Sequence, residues 1–176
     1  LPPGGFLQAT AAAERILADA VLKRTRRARN VADLFCGIGP FALRLAERRP
    51  VTAIDLDAEA LAALDFAARH TQRLKPVSTH RRDLFREPLT TRELAAFDAV
   101  IFDPPRQGAE AQARQLAHSA LDTVIALSCD AATFARDAAI LVSGGYRMSQ
   151  ITAVDQFKWS SHLEIVAAFD RGLKRT

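Results

Sequence analysis

The 176-residue chain predicts an α/β fold: a doubly wound, mostly parallel seven-stranded sheet with a final antiparallel strand. Three observations carry that expectation. Short apolar runs alternate with segments long enough for helices, and turn residues cluster where the runs end. The last two runs follow each other with no helical segment between them, so at least one of them reverses direction.

The elements follow in order. Ala9–Arg27 places Ile16 with Ala20, and Leu17 with Val21, at helical spacing. Val31–Phe35 is a short apolar strand ending in "CGIGP", and Pro40 suits the first turn of a helix reaching about Arg49. "VTAIDL" (51–56) is the next strand, Ala58–Arg73 the next helix and Val77–His80 a short strand. Phe97–Phe102 is a strand that runs into "DPPRQG". Helix Glu110–His118, strand Leu121–Ser128 and helix Ala131–Val142 complete the alternation. Tyr146–Val154 and His162–Phe169 close the chain as extended segments.

Composition bounds the rest. With 49% hydrophobic and 25% charged residues, the chain reads as one soluble domain over residues 1–176, long enough to bury a core. No apolar run approaches the roughly 20 residues of a membrane span, and "LPPGGF" lacks the basic and apolar regions of a signal peptide. It also lacks a Met, so a longer parent protein is expected. The two cysteines, Cys36 and Cys129, make neither a disulfide framework nor a metal-binding pattern; a reducing, cytoplasmic setting and no metal are expected. A net charge of +4 and a pI near 9.6 lean towards a polyanionic partner. The bases cluster in "KRTRRAR" (23–29) and "HRRDLFR" (80–86), for which solvated helix ends and loops are the plain reading.

In open sheets of this kind, ligands bind beyond the carboxyl ends of the strands. Cys36, Asp55, Asp83, Asp103 and Cys129 all fall at or just past such ends, and are expected to line one rim. In "DLFCGIGPFA" (33–42), Gly37, Gly39 and Ala42 satisfy a GxGxxG/A pattern, and Asp55 follows at the distance of an acid that accepts ribose hydroxyls. That stretch does not separate a nicotinamide cofactor from S-adenosylmethionine. The two prolines of "DPPR" (103–106) stiffen a loop that holds Asp103 towards a cofactor. Arg106 stands where enzymes that methylate amino groups carry an aromatic residue, which favours contact with an anion or carbonyl instead.

Cys129, in "ALSCDAATFARD" (126–137), admits four readings: packing, a metal ligand, half a disulfide, or a nucleophile. A helix starting near Ala131 would favour its thiolate. The carboxylate of Asp130 opposes this unless it pairs with Arg106 or Arg136. Glu164 lies inside the apolar "LEIVAAF", either on an edge facing water or as a base kept in a pocket. Cys36 is expected to pack beneath the cofactor.

Taken in order, Phe6-x-Gln8, "DLFCGIGPFAL", "AIDLD", "DPPRQG", "SCDAATFARD" and "HLE" resemble the catalytic domain of the RNA uracil-5-methyltransferases. These are S-adenosylmethionine-dependent enzymes that form 5-methyluridine in ribosomal or transfer RNA. The resemblance runs from Phe6 to Phe169. It implies a Rossmann-like class I methyltransferase fold, S-adenosyl-L-methionine (SAM) as cofactor, and an RNA partner. Gln8, Phe35, Asp55 and Asp103, with Asp83, fall on cofactor positions around the loop of Gly37 and Gly39. Cys129 falls on the nucleophile and Glu164 on the base. Thr10 and Asp130 stand where the family usually has Asn, and neither its RNA-binding portions nor the iron–sulfur cysteines of some members are present. A monomer without membrane attachment is expected. The rival readings are a SAM methyltransferase acting on an amino nitrogen or on cytosine carbon 5, a nicotinamide oxidoreductase, and a non-catalytic SAM- or RNA-binding module.

Overall fold

The computed structural model describes residues 11–155 and 163–171. Its first half comprises α1 (Ala11–Arg24), β1 (Val31–Leu34), α2 (Pro40–Ala46), β2 (Val51–Asp55), α3 (Ala58–His70) and β3 (Val77–Arg81). The second half comprises α4 (Thr91–Leu94), β4 (Ala99–Phe102), α5 (Glu110–His118), β5 (Thr123–Ser128), α6 (Ala131–Ser143), β6 (Arg147–Val154) and β7 (Glu164–Asp170). The seven strands form one sheet in the order β3-β2-β1-β4-β5-β7-β6. β1 to β5 are parallel and β7 is antiparallel, as the alternation predicts; β7 inserts between β5 and β6, a placement that the alternation does not predict.

Every residue of β1 and β4 is buried, because helices cover both faces of the central strands. Val31, Ala99, Ile101 and Leu127 pack with Leu17, Leu45 and Leu64 of α1, α2 and α3. Ala32, Leu34, Val100 and Phe102 pack on the other face with Leu116 of α5 and Leu141 of α6. Each large apolar side chain buried in this way contributes about 1.5–3 kcal/mol. The strand order turns back between β1 and β4, so their carboxyl ends open a crevice.

Several elements differ in detail from the pattern-based expectation. Leu17, Ala18 and Val21 carry the buried stripe of α1, while Ile16 is 47% exposed. That helix stops at Arg24 because the Thr25 hydroxyl donates to Val21 O at 2.9 Å and turns the chain. β5 starts at Thr123 rather than Leu121, whose carbonyl accepts from the Tyr146 hydroxyl instead of a strand neighbour. The short α4 went unread, although its capping box is written in Thr90-Thr91-Arg92-Glu93. Among the described residues, no helix is long and apolar enough to cross a membrane.

Candidate active site

The turn after β1 is shaped by backbone as much as by side chains. Phe35 takes a left-handed conformation (φ 62°) unusual for its residue type. Its amide and that of Cys36 both donate to Ile54 O, at 2.9 and 3.2 Å, and its ring packs 5.2 Å from Phe85 and 6.0 Å from Phe102. Gly39 (φ 76°) precedes α2 so closely packed that a Cβ would meet Leu64 Cδ2 at 2.7 Å. Gly37 (φ 53°) differs: nothing lies within 4 Å of where its Cβ would stand. One glycine serves packing; the other leaves open space at the rim.

The acids at the strand ends converge on that turn. Asp55, at the end of β2, accepts from Gly37 N at 2.8 Å and Asp57 N at 2.9 Å, which fixes both carboxylate oxygens. Asp83 folds back on its own turn, accepting from Phe85 N at 3.0 Å and Arg86 N at 3.3 Å. Asp33, inside β1, is fully buried, and neither of its carboxyl oxygens completes a hydrogen bond within the described residues. Burial, followed by the charge of Asp103, pushes its carboxyl well above the usual range, while the Ala42 backbone N–H pulls the other way. Asp103, just past β4, is pushed up to about 7 by burial and then by the Glu164 carboxylate.

Cys129 follows β5 directly, and Glu164 opens β7 on the same rim because β7 runs antiparallel: Ile165 pairs with Ser128. Glu164 is 3% exposed, which removes the reading of an edge residue facing water. Cys129 is a free thiol and half-buried. Contrary to the expectation from the helix N-terminus, its thiol is pushed up. Burial is the main cause, Glu164 the next, and both outweigh the opposing charge of Arg106.

Asp130 does not trouble the thiol as its sequence neighbourhood suggests. It is the N-cap of α6, where one oxygen accepts from Ala132 N at 3.0 Å and Thr133 N at 2.9 Å. Those bonds, with the nearby charge of Arg106, hold its carboxyl below the usual range. Arg136 takes no part, being bound to Asp137 at 2.8 Å. In the same turn, the Ser128 hydroxyl donates to Asp130 O at 2.9 Å.

A strap then joins the two loops of the rim. Thr133 donates from its hydroxyl to Arg106 O at 2.8 Å, and Arg136 donates to Gln107 O at 3.2 Å. Buried Asp137 accepts from Ala109 N at 2.8 Å. Gly108 (φ 66°) fits beneath, where a Cβ would meet Asp137 Oδ2 at 2.7 Å. Helix α6 thus fixes the "DPPRQG" loop relative to the cysteine at its own N-terminus.

The structure therefore brings Asp55, Asp83, Asp103 and Cys129 to one rim, as expected from the strand ends, and sets Phe35, Gly37, Gly39 and Glu164 beside them. Gln8, with Phe6 and Thr10, lies outside the described residues. Cys36 is buried below the glycine turn, its thiol donating to Gly37 O at 3.6 Å. Asp33 and Asp137 were missed. The signal for Asp33 was present, an acid inside an apolar strand as with Glu164, whereas nothing local marks Asp137. Among the described residues, no His, Cys, Asp and Glu cluster suits a metal ion.

Sheet order, glycine turn and rim acids first define a class, the Rossmann-like methyltransferases. Magnesium protoporphyrin IX methyltransferase from Synechocystis PCC 6803, solved with bound SAM, shares the fold at 18% identity, a TM-score of 0.65, and coverage of 90% of this chain and 78% of that one. The sequence profile of the tRNA (uracil-5-)-methyltransferases matches residues 2–171, and the chain belongs to that family. The Pyrococcus abyssi tRNA (uracil-54, C5)-methyltransferase, solved with S-adenosyl-L-homocysteine, superposes with a TM-score of 0.82 at 27% identity, covering 95% of this chain and 40% of that one. An uncharacterized RNA methyltransferase of Brucella melitensis is 58% identical over 172 residues, 98% of this chain and 41% of that protein. The 23S rRNA (uracil(1939)-C(5))-methyltransferase of Chromohalobacter salexigens is 40% identical over 98% of this chain and 36% of that protein. The chain thus spans about two fifths of the length of these relatives.

Proposed function

We propose that the chain is the catalytic domain of an enzyme that transfers a methyl group from SAM to carbon 5 of a uridine in ribosomal or transfer RNA. One observation carries this reading: a free cysteine and a buried glutamate, far apart in sequence, open onto the rim where Asp103 stands. Two free thiols suit a reducing, cytoplasmic setting.

The residues present fit the cofactor. SAM carries positive charge and a ribose diol, and the rim offers the fixed carboxylate of Asp55, the unsatisfied oxygens of Asp33 and the open space beside Gly37. Asp55 would hold the ribose, with Asp33 and Asp103 facing the positive end. When bound, SAM supplies an electrophilic methyl group.

Carbon 5 of uracil is too poor a nucleophile to accept that methyl unaided. The Cys129 thiolate adds to carbon 6, and the ring electrons move onto carbon 5 and the carbon-4 oxygen. Arg106 is the cation at hand for the thiolate and for that oxygen. Once carbon 5 carries the methyl, the Glu164 carboxylate removes its proton. The released electron pair restores the double bond and expels the thiolate. At rest the thiol is held protonated by burial and by Glu164; positive charge brought to the rim makes it easier to ionise. The uridine reaches such a site only when unstacked from its neighbours.

Incubation with methyl-labelled SAM and bulk RNA, followed by nucleoside analysis, tests the reading. Label is expected in 5-methyluridine, and in none of it with Cys129→Ala. Label in 5-methylcytidine or in an N-methyl nucleoside would replace the uridine reading.

A further inference from the structure

The two ends of the sheet differ in charge. At the carboxyl ends of the strands Asp55, Asp83, Asp103 and Glu164 gather beside Arg81, Arg86 and Arg106, a mixed rim whose acids suit a cationic cofactor. The amino ends, aligned by the register Val31–Val51–Val77 and Val31–Ala99, are basic. Lys23 on the last turn of α1 and Arg26, Arg27 and Arg29 on the turn entering β1 stand exposed, as do Arg48, Arg73 and Lys75 on the turns entering β2 and β3. Lys75 N donates to Ala46 O at 2.6 Å, which brings the last of these turns against the end of α2.

Two features separate this end from a solvated helix terminus. First, the β1 turn is built. Thr25 is fully buried and bonded to Val21 O, and Ala28 N donates to Thr25 O at 2.9 Å. The buried guanidinium of Arg49 donates to Thr25 O and to Ala28 O. The Asp98 carboxylate accepts from Arg29 N at 2.6 Å and Asn30 N at 3.1 Å. Second, the charges are uncompensated. Arg69, Arg82 and Arg114 on the flanks each hold a carboxylate within 2.6 Å, whereas among the described residues none of the seven basal side chains forms an ion pair.

We infer that the amino end of the β1–β3 half-sheet is a second RNA-contacting surface, which holds phosphates without reading sequence. RNA is the occupant because it is the polyanion the proposed function requires; the inference rests on that reading for its ligand and not for its chemistry. The strands here are four to five residues long, so base and basal phosphates are separated by about 17 Å of strand plus the turns. The RNA passes down the flank from the rim to the basal turns. Attraction and chemistry thereby occupy opposite ends of the sheet.

The test is a quadruple variant, R26Q/R27Q/R29Q/K75Q, of exposed residues outside the active site. Affinity for a fluorescently labelled RNA stem-loop, and for a single strand of the same sequence, is measured over a series of KCl concentrations. The slope of log affinity against log salt is expected to fall by about 3, at roughly 0.7 per lost phosphate contact, with at least about a tenfold loss of affinity at low salt. SAM affinity and the thermal midpoint stay unchanged, and R69Q/R114Q leaves the slope as it was. In methylation assays KM for RNA rises while kcat holds. An unchanged slope and affinity would overturn the inference, as would polyglutamate of matched charge binding the basal turns more tightly than RNA, which would make the surface a protein contact. Cys129→Ala keeps the full slope, so failure of the chemistry and failure of this surface are read separately.

Discussion

The two cysteines sit in comparable places and differ in almost everything else. Cys36 follows β1 and Cys129 follows β5, each just past a strand end. Cys36 is 6% exposed, and burial, then Asp33 and Asp55, push its thiol far up with no cation to oppose them. Cys129 is half-buried, and although burial and Glu164 push its thiol up, Arg106 counters. A strand end supplies position; the charges around it decide whether a thiol packs or reacts.

The sharpest way to break that contrast is to remove each thiol in turn. Cys129→Ala is expected to lower methyl transfer by at least about 10⁴-fold, and to abolish a covalent adduct with RNA containing 5-fluorouridine, whose fluorine blocks the final proton loss. Cys36→Ser retains turnover and instead lowers thermal stability or SAM affinity, since it places a hydroxyl where burial is nearly complete. Equal losses in the two variants would erase the distinction. Alkylation followed by mass spectrometry gives a second view: Cys129 should be modified first.

Glu164 comes next. Glu164→Gln keeps shape but loses the base, and turnover should fall by about 10²–10⁴-fold. Because the first addition survives, the protein–RNA adduct should accumulate on denaturing gels. Normal turnover would move the base to another carboxylate, with Asp103 the first to examine.

The strap on α6 is a third and smaller lever. Gly108→Ala drives a methyl group into Asp137 and Arg136, and Asp137→Asn weakens the bond to Ala109 N. Each should displace Arg106 relative to Cys129 and lower kcat by about 10- to 100-fold, the scale of a misplacement near 1 Å. KM for SAM should change less than kcat, because Asp55 and the glycine turn belong to the other half of the sheet and only Asp103 of the cofactor residues adjoins the displaced loop.

What the sequence disclosed follows from how locally each feature is written. The glycine turn, "DPPR" and the cysteine corner are contiguous stretches bounded by strands, so their place on the rim follows from the parallel topology alone. Glu164 was legible as an acid in an apolar run, but its burial depends on β7 lying between β5 and β6, a pairing that no local pattern encodes. The sign of the Cys129 shift stayed open in the sequence for the same reason: the helix N-terminus and Asp130 are local and oppose each other, whereas Glu164 approaches from a distant strand. The Asp130 carboxylate caps α6, a role open to Asn as well, and that use of it shows only in the fold. "KRTRRAR" read as a solvated helix end, since Arg49 and Asp98, which fix its turn, lie far along the chain.

The acidic rim offers a last and gentler test through pH. An unfolded aspartate titrates near 3.9, whereas Asp103 in the fold titrates at about 7. Between those values the folded chain keeps a proton that the unfolded chain has lost, so its stability falls as pH rises through this window and levels off above it. Asp103→Asn removes its own share of the slope and should raise the thermal midpoint at pH 8 by about 2–4 °C, the scale of 1 kcal/mol in a domain of this size. Binding of SAM has the opposite sign. A carboxylate facing positive charge must be ionised, so affinity should rise with pH up to about 7, by roughly tenfold per unit at most, and then flatten. Calorimetry should show more proton release on binding at pH 6 than at pH 8, and Asp103→Asn should abolish the difference. If stability and affinity instead moved together with pH, Asp103 would be a structural acid of the crevice, and the positive end of the cofactor would answer to Asp33 alone.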